Sequence, residues 1–143
     1  MTASVSPGSR QTSTRLAVGL DLASVEAVET SISVHAERYL RRVYTSRELE
    51  DCRNADGTPN ARRLAARFAA KESTMKALRL ADEALPWQSI GVRSDEFGRP
   101  TIELSGRAEE LACRRGVKAL DLSLTHEGAF AAAVVVAQLG GAR

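Results

Sequence analysis

The chain has 143 residues, of which 43% are hydrophobic and 27% are charged, and its formal net charge is +2. This composition is typical of one globular domain and excludes disorder along the whole chain. The charge balance is too even for a protein whose main partner is nucleic acid. The longest apolar run, 129–137, is about half as long as a membrane span, and no segment has the pattern of a signal peptide.

The two cysteines, Cys52 and Cys113, have neither CxxC spacing nor the surroundings of a zinc site or a disulfide framework. We therefore expect free thiols in a reducing compartment, the cytoplasm. Small polar residues fill positions 1–14, and they predict a disordered N-terminal tail. One domain is expected to follow at 15–143.

Hydrophobic periodicity, caps and turn residues predict a strand, three helices, a hairpin, a helix and a second pair of strands. Ser24 is suited to cap the first helix, and Thr45 with Glu48 has the spacing of a capping box. The expected elements are a strand at 15–22, helices at about 24–40, 46–53 and 60–82, strands at 90–93 and 101–104, a helix at 106–115, and strands at 120–125 and 130–136. This order predicts an α+β domain.

Asp21 ends the first predicted strand, where a buried carboxylate is costly unless another group satisfies it. Aspartate is common at turns and helix caps, so it can serve simply as a cap at the junction that follows. It can also be a ligand for a hard cation. Both interpretations stay open for this residue alone.

Glu72 and Lys76 lie four positions apart on the long predicted helix and share one face with Phe68. In isolation such a pair is an ordinary solvated salt bridge that contributes ~0.2–0.5 kcal/mol. The catalytic alternative places Asp21 and Glu72 around Mg²⁺, with phosphate oxygens and water as the other ligands. Lys76, one turn further, would then meet the same phosphates as a point charge.

Two hydroxyls and an imidazole come together at 123–127, S-L-T-H-E, where a strand gives way to a turn. Ser123 and Thr125 share a face because side chains alternate along a strand. A single histidine such as His126 is most often structural, with its ring nitrogens satisfied by nearby groups. Together the three side chains indicate a polar strand end, which is where ligands tend to bind.

Four segments in this order resemble one known family. They are G-L-D at 19–21, R-F-A-A-K-E-S-x-x-K-A-L at 67–78, F-G-R-P at 97–100 and S-L-T-H-E at 123–127. From about residue 15 to about residue 138 the chain resembles the holo-acyl-carrier-protein synthase family, the small trimeric type of 4′-phosphopantetheinyl transferase. The resemblance implies that family's α+β fold, with a small antiparallel sheet and a long helix that carries K-E-x-x-x-K.

The resemblance also implies a site, which in this family lies between the subunits of a homotrimer. Asp21 and Glu72 match the family's magnesium ligands, and Lys76 matches the lysine that meets the phosphates of coenzyme A. Elements that line the coenzyme A site are matched by Gly98, Pro100, Ser123, Thr125 and His126. Arg38 and Arg42 match positions that contact the acidic carrier protein.

The family reaction moves the 4′-phosphopantetheine arm of coenzyme A to a serine of an acyl carrier protein and releases adenosine 3′,5′-bisphosphate. Mg²⁺ would neutralise charge on the transferring phosphoryl group. Glu72, or water on the metal, is the expected base, and Lys76 would stabilise charge toward the leaving phosphate. We therefore expect a Mg²⁺-dependent cytoplasmic transferase of fatty acid or polyketide biosynthesis, with coenzyme A and a carrier protein as substrates and no nucleic acid or membrane as partner.

The chain departs from the family pattern at two places. The family often has a glycine-rich turn after K-A-[FL], whereas 79–82 reads R-L-A-D, so the long helix is expected to continue and the nucleotide-side loop to differ. The start of the first helix, 24–29, is acidic and lacks the arginine that the family often has there.

Two rival functions follow from these features. The missing glycine turn favours a homologue that binds coenzyme A with weak or lost transferase activity. A small nucleic-acid binder would use Arg38, Arg41, Arg42, Arg62 and Arg63. It is disfavoured because aromatic residues make up only 4% of the chain, which leaves few platforms for base stacking.

Overall fold

The computed structural model describes residues 13–140, and these form two antiparallel sheets and four helices. The elements are β1 Arg15–Ser24, α1 Val25–Val43, α2 Ser46–Asp51, α3 Ala61–Ala77, a 3-10 turn Trp87–Ser89, β2 Ile90–Ser94, β3 Pro100–Leu104, α4 Gly106–Arg114, β4 Val117–Glu127 and β5 Phe130–Leu139. Most of the predicted tail at 1–14 lies outside the described residues. The order and type of these elements confirm the predicted α+β class.

The larger sheet has the strand order β1-β5-β4, and the smaller one is the hairpin of β2 and β3. In the larger sheet Asp21 pairs with Ala133, which pairs with Leu124 on the other side. Residues directly opposite one another in antiparallel strands lie on the same face. The face that carries these three residues packs against α3 and is called the inner face below; the opposite one is the outer face.

The long helix α3 lies across the inner face of the larger sheet and supplies much of the core. Its buried residues are mostly small, including Ala65, Ala69 and Ala70, which lets the backbone of the helix approach the strands closely. Ser73 donates a hydrogen bond of 2.9 Å from its hydroxyl to the carbonyl of Ala133 on β5. This contact connects the middle of α3 directly to the central strand.

Gly19 on β1 lies directly against the backbone of α3. A Cβ at this position would lie 1.8 Å from the carbonyl oxygen of Ser73 and 2.8 Å from the amide nitrogen of Ala77. Only glycine is compatible with so close an approach of two backbones. Asp21, two residues further along the same face, is thereby held next to α3.

Local capping was predicted correctly at both helices that follow β1. The Ser24 side chain accepts a hydrogen bond from the amide of Ala27 at 3.1 Å, and Thr45 with Glu48 forms the expected capping box. The helix α1 extends three residues beyond its predicted end and is interrupted at Ala36, where φ is +45°. The interruption lies in a segment that contains no glycine or proline, so no helix-breaking residue marks it in the sequence.

The prediction that the long helix continues to about residue 82 is wrong. Helix α3 ends at Ala77, and Arg79 adopts the left-handed conformation with φ +54°. The amide of Leu80 closes the turn by donating to the carbonyl of Met75 at 2.8 Å. The sequence has good helix formers at this point, so helix propensity does not mark the end of α3. Leu80, just beyond that end, is fully buried.

Candidate active site

Asp21, Glu72 and Lys76 come together where β1 meets the C-terminal half of α3. The Lys76 ammonium lies 3.0 Å from Asp21 Oδ1 and donates a second hydrogen bond of 3.0 Å to the carbonyl of Leu20. Within residues 13–140, Lys76 therefore forms its ion pair with Asp21 on the strand. The interpretation as a solvated salt bridge on the helix had expected Glu72 as the partner. The side chain of Lys76 is half-exposed and that of Asp21 is largely buried.

Glu72 faces the same cluster and carries an electrostatic penalty for being ionised. Burial raises its pKa above the ordinary glutamate value, and the neighbouring Asp21 carboxylate raises it further. Lys76 acts in the opposite direction and lowers it. Two carboxylates are thus close enough to repel each other, and one ammonium offsets the repulsion only in part.

This donor set fits a hard divalent cation when other ligands come from a substrate. Two carboxylates are the oxygen donors that Mg²⁺ usually takes from a protein, with waters and phosphate oxygens completing the shell. Within the described residues, no group of three or more His, Cys, Asp or Glu side chains is arranged to hold a metal ion. A cation at Asp21 and Glu72 would therefore depend on oxygens from a bound molecule.

The predicted polar strand end is divided between the two faces of the larger sheet. Ser123 is opposite Val134 and Thr125 is opposite Ala132, so both hydroxyls lie on the outer face. His126 is opposite Ala131 and lies on the inner face. The expectation that the two hydroxyls share a face agrees with the register, but their face is not the one that carries Asp21.

A cavity of about 290 Å³ lies beside His126, and it is lined by Arg63 and Arg67, neither of which was predicted as a residue of the transferase site. The side chain of Arg67 is buried, with a relative exposure of 9%, and its Nε has no hydrogen-bond partner among the described residues. One of its terminal nitrogens lies 3.3 Å from the hydroxyl of Ser94. Arg63, one turn earlier on α3, also lines the cavity. Arg67 is the first residue of the R-F-A-A-K-E segment, the most specific part of the family resemblance. Its place in that segment was the sequence signal that could have indicated a functional role.

The remaining predicted residues lie away from this cluster in the chain. Gly98, with φ +77°, lies in the loop of the β2–β3 hairpin, and Pro100 begins β3 opposite Ser94. Arg38 and Arg42 are exposed in the part of α1 that follows the interruption. The described chain therefore does not bring the hairpin or α1 residues to Asp21 by itself.

A buried ion pair, Lys71 with Glu48, was also missed. Burial lowers the pKa of Lys71, and the carboxylate of Glu48 opposes this by favouring the charged form. Lys71 precedes Glu72 directly, and consecutive residues of a helix project about 100° apart, so the pair fixes a neighbouring side of the helix that carries the site. The sequence offered only the capping role of Glu48, and the hydrophobic neighbourhood of Lys71 was the weak additional signal.

Comparison with known proteins identifies the family. A model of the 4′-phosphopantetheinyl transferase superfamily matches residues 17–135. Curated relatives include the holo-[acyl-carrier-protein] synthase of Moorella thermoacetica, 42% identical over 86% of this chain and 94% of that protein. The holo-[acyl-carrier-protein] synthase of Halothermothrix orenii is 37% identical over 86% of this chain and 97% of its own.

Solved structures agree with this result. The acyl carrier protein synthase of Mycobacterium tuberculosis matches with a TM-score of 0.66 and 32% identity, over 86% of this chain and 96% of that one. The Chronobacterium ammoniagenes ACPS–CoA complex matches with a TM-score of 0.74 and 26% identity, over 87% and 98%. The Helicobacter pylori holo-[acyl-carrier-protein] synthase in complex with coenzyme A matches with a TM-score of 0.72 and 27% identity, over 84% and 98%.

The chain belongs to the 4′-phosphopantetheinyl transferase superfamily. The family resemblance, the fold class and the enzyme class predicted from the sequence are thereby confirmed. Within residues 13–140, no helix is both long enough and apolar enough to cross a membrane.

Proposed function

We propose that this protein is a holo-[acyl-carrier-protein] synthase, which transfers the 4′-phosphopantetheine arm of coenzyme A to a serine of an acyl carrier protein. Adenosine 3′,5′-bisphosphate is the second product. The observation that carries the proposal is the cluster of Asp21, Glu72 and Lys76, in which two repelling carboxylates face one ammonium at the edge of α3. The relatives named above bear this enzyme name, and two of the matched structures contain coenzyme A.

Asp21 and Glu72 are the proposed ligands of Mg²⁺, which when bound would neutralise charge on the transferring phosphoryl group. Lys76 occupies Asp21 Oδ1 in the described chain, so a cation at that oxygen competes with the ammonium. Lys76 released from Asp21 is free to meet the phosphates and to stabilise the leaving group as a point charge. Glu72, or a water on the metal, is the candidate for accepting the serine proton.

The nucleotide part of coenzyme A is proposed to bind at the cavity that Arg63, Arg67 and His126 line. The buried guanidinium of Arg67 has an unpartnered Nε, and such a group is strongly stabilised by an anion. Gly98 and Pro100 in the hairpin and Ser123 and Thr125 on β4 are proposed to contact the same molecule. These contacts are the ones that the family resemblance implies.

A homotrimer is proposed because one chain separates these residues. Ser123 lies on the outer face of the sheet and Asp21 lies on the inner face, so a single molecule reaches both most simply between two copies. Thr125 already lines the cavity beside His126 in one chain. The outer face also exposes a continuous apolar surface. Leu16, Val18, Leu20 and Leu22 are 61–69% exposed and adjoin Val134 and Val136. Exposed apolar surfaces of this kind mark association sites, and further copies of this chain are the proposed occupants.

The association is tested by light scattering with Val18→Glu, which places a charge in the centre of the apolar face. We expect the wild type to have three times the chain mass and Val18→Glu to dissociate. Val34→Glu, at an exposed position of α1, serves as the control because it makes the same substitution and adds the same single negative charge. A monomeric wild type would contradict the trimer.

Arg38 and Arg42 are the proposed contact for the carrier protein, which is expected to be acidic. Basic side chains that face an acidic partner speed the encounter and make it sensitive to salt. Reversing both to glutamate should raise the KM for the carrier and weaken its salt dependence, while the affinity for coenzyme A remains unchanged. Unchanged carrier kinetics would place the carrier elsewhere on the surface.

Intact-mass spectrometry of an apo carrier protein with coenzyme A and Mg²⁺ tests the activity itself. The expected result is a gain of one phosphopantetheine mass that is lost when Mg²⁺ is chelated. Asp21→Asn and Glu72→Gln should abolish transfer with little effect on the fold, because each removes an anionic ligand but little volume. Binding of coenzyme A without any mass gain, over several carriers, would favour the rival function of a non-catalytic binding homologue.

Lys76→Met separates the catalytic role of Lys76 from that of a surface ion pair. We expect kcat to fall by ~10²–10³, as for the loss of one preorganised electrostatic group, while Mg²⁺ binds more tightly without the competing ammonium. The matched control is Lys118→Met, an exposed lysine at the start of β4. A wild-type kcat in Lys76→Met would show that Lys76 forms only a salt bridge with Asp21 and has no catalytic role.

A further inference from the structure

The two arginines proposed for the carrier protein lie in a short part of α1 whose position the helix itself does not fix. Ala36 has φ +45° and ψ −124°, so the regular helix is interrupted there and only 37–43 follow the interruption. This segment makes about two turns, and a helix of that length is only marginally stable by itself. Contacts with other elements must therefore hold the segment, and with it Arg38 and Arg42, in place.

One side of this segment is anchored in the core. Leu40 and Val43 are buried, and Tyr44, the C-cap of α1, has no exposed surface. Arg38 and Arg42 are exposed and make no ion pair within residues 13–140. They are four positions apart and are therefore neighbours on the helix surface. Apolar burial decides which side faces the core, but it is not directional and does not by itself fix where the end of the helix lies.

The side chain of Gln88 supplies a directional contact at this end of α1. Its Nε2 donates hydrogen bonds to the carbonyl oxygens of Arg41 and Tyr44, the second at 3.0 Å. The last carbonyls of a helix have no partner within the helix. One amide group therefore satisfies two of the carbonyls that α1 leaves open, and it fixes their position relative to the 3-10 turn.

The 3-10 turn that carries Gln88 is itself fixed to α3. The Lys71 ammonium donates a hydrogen bond of 3.3 Å to the carbonyl of Trp87, and the rings of Phe68 and Trp87 have their centroids 5.3 Å apart. Lys71 directly precedes Glu72, and Phe68 lies one turn before Glu72 on the same face. The turn therefore connects the end of α1 to the part of α3 that carries a proposed metal ligand.

This connection sets the distance between the carrier surface and the reacting groups. A carrier that binds at Arg38 and Arg42 must present its serine to a phosphoryl group near Asp21 and Glu72. Transfer depends on holding the two reacting groups in the right geometry, so the place where the carrier binds matters as much as how tightly it binds.

We propose that Gln88 is a positioning residue for the carrier protein. Its amide holds the end of α1 against the 3-10 turn and so places Arg38 and Arg42 at the correct distance from the site on α3. The inference rests on the proposed function, because it assumes that the carrier binds at these two arginines. Gln88 is not among the residues proposed to contact coenzyme A, Mg²⁺ or another copy of the chain, so its loss is expected to affect the carrier alone.

The test is the steady-state kinetics of Gln88→Met, which keeps the length of an exposed side chain but removes the amide donor. We expect kcat/KM for the carrier to fall about fivefold to tenfold, as the loss of one or two hydrogen bonds would produce. The Kd of coenzyme A, measured by calorimetry without carrier, should be unchanged. The mass in light scattering should also equal that of the wild type.

Ser31→Ala is the matched control on the same helix. It also removes a side-chain hydrogen bond to a carbonyl of α1, that of Ala27 at 3.0 Å, but it does so before the interruption at Ala36. Because it leaves the end of α1 in place, it should keep the kcat/KM of the wild type for the carrier.

Combining variants separates a positioning role from a general loss of structure. In Arg38→Glu/Arg42→Glu the carrier no longer has its proposed contact, so adding Gln88→Met should lower kcat/KM no further. Two independent structural losses would instead multiply, because the effects of uncoupled sites on the free energy add.

Unchanged kcat/KM in Gln88→Met would overturn the inference and leave the proposed function standing. A loss that multiplies with that of the arginine variant, a weaker affinity for coenzyme A or a dissociated assembly would overturn it as well. Unchanged carrier kinetics in Arg38→Glu/Arg42→Glu would place the carrier elsewhere and overturn it too. Failure of the wild type to modify any carrier would contradict the proposed function instead.

Discussion

The ammonium of Lys71 lies 2.7 Å from Glu48 Oε1 in the interior, where neither side chain has exposed surface. The pair joins α2 to α3 and fixes both to β2. Its other hydrogen bonds run from Lys71 to the carbonyls of Trp87 and Ile90, and to Glu48 from the amides of Thr45 and Val92. Buried charges are tolerated when they are paired and hydrogen-bonded in this way.

Removing one member of this pair should destabilise the protein strongly, because the other charge stays buried without a partner. We expect Lys71→Met to lower the free energy of unfolding by about 3–5 kcal/mol, measured by urea denaturation. Lys71→Met/Glu48→Leu should recover only part of that loss, since it leaves no buried charge but takes the acceptor away from the buried amide of Val92.

The control is the exposed pair of Arg41 and Glu37, whose atoms are 3.0 Å apart. Because both side chains are mostly in water, Arg41→Met should cost less than about 1 kcal/mol. Equal losses of unfolding free energy in Lys71→Met and Arg41→Met would show that burial does not make the first pair more important for stability than an exposed pair.

Features of the fold that depend on nearby residues could be predicted from the sequence. The capping box of Thr45 and Glu48 spans three residues, and its chemistry is local. The alternation of β4 and the continuous apolar pattern of β5 likewise indicate strands that are joined by a short turn. These signals need no knowledge of the rest of the chain.

Contacts between distant segments could not be predicted in the same way. Lys71 and Glu48 are 23 positions apart, and no pattern in either segment names the other. Helical spacing predicted an ion pair between Lys76 and Glu72. In the structure Lys76 pairs instead with Asp21, which lies on the strand 55 positions away. The end of α3 was misplaced because tertiary burial of Leu80 outweighs helix propensity. Asp21 and Glu72 were placed together only as one open alternative, which the family resemblance then favoured.

The left-handed turn at Arg79 predicts an unusual outcome for a glycine substitution. Arg79→Gly should stabilise the protein by about 1 kcal/mol, because glycine adopts this conformation without the steric cost that a side chain carries. Glu109→Gly, at an exposed position in α4, should instead destabilise it by about 1 kcal/mol. Thermal unfolding of both variants checks the opposite signs, and destabilisation by Arg79→Gly would contradict the strained turn.

The two cysteines should differ sharply in reactivity. Burial raises the pKa of Cys52 to about 11, and its side chain is 1% exposed, whereas Cys113 is exposed on α4. A thiol-specific reagent should therefore label one thiol rapidly in the native protein and the second only on unfolding.

The pH dependence of labelling gives the sign of the effect. Raising the pH from about 7 to about 9 should leave the slow phase unchanged, because the raised pKa and the burial of Cys52 keep that thiol protonated and inaccessible. Cys113→Ser is the control and should remove the rapid phase; two rapid phases in the wild type would contradict the buried position of Cys52.

The close approach of Gly19 to α3 connects the packing of the domain to the position of its site. In Gly19→Ala the new methyl group would meet the carbonyl oxygen of Ser73, which is backbone and cannot turn away. We expect the free energy of unfolding to fall by about 3 kcal/mol, at the upper end of the usual cost of overpacking. Because the strand must then move from the helix, Asp21 should also move away from Glu72.

Both effects are measured on the same variant. Urea denaturation gives the stability, and the Mg²⁺ concentration needed for half-maximal transfer reports on the spacing of the two carboxylates. Gly91→Ala is the matched control, because a Cβ at that buried glycine would lie 3.6 Å from its nearest neighbours, an ordinary contact. It should be neutral or stabilising by up to about 1 kcal/mol, with no change in the Mg²⁺ requirement. A Gly19→Ala protein that is less stable but has an unchanged Mg²⁺ requirement would limit the role of this glycine to packing.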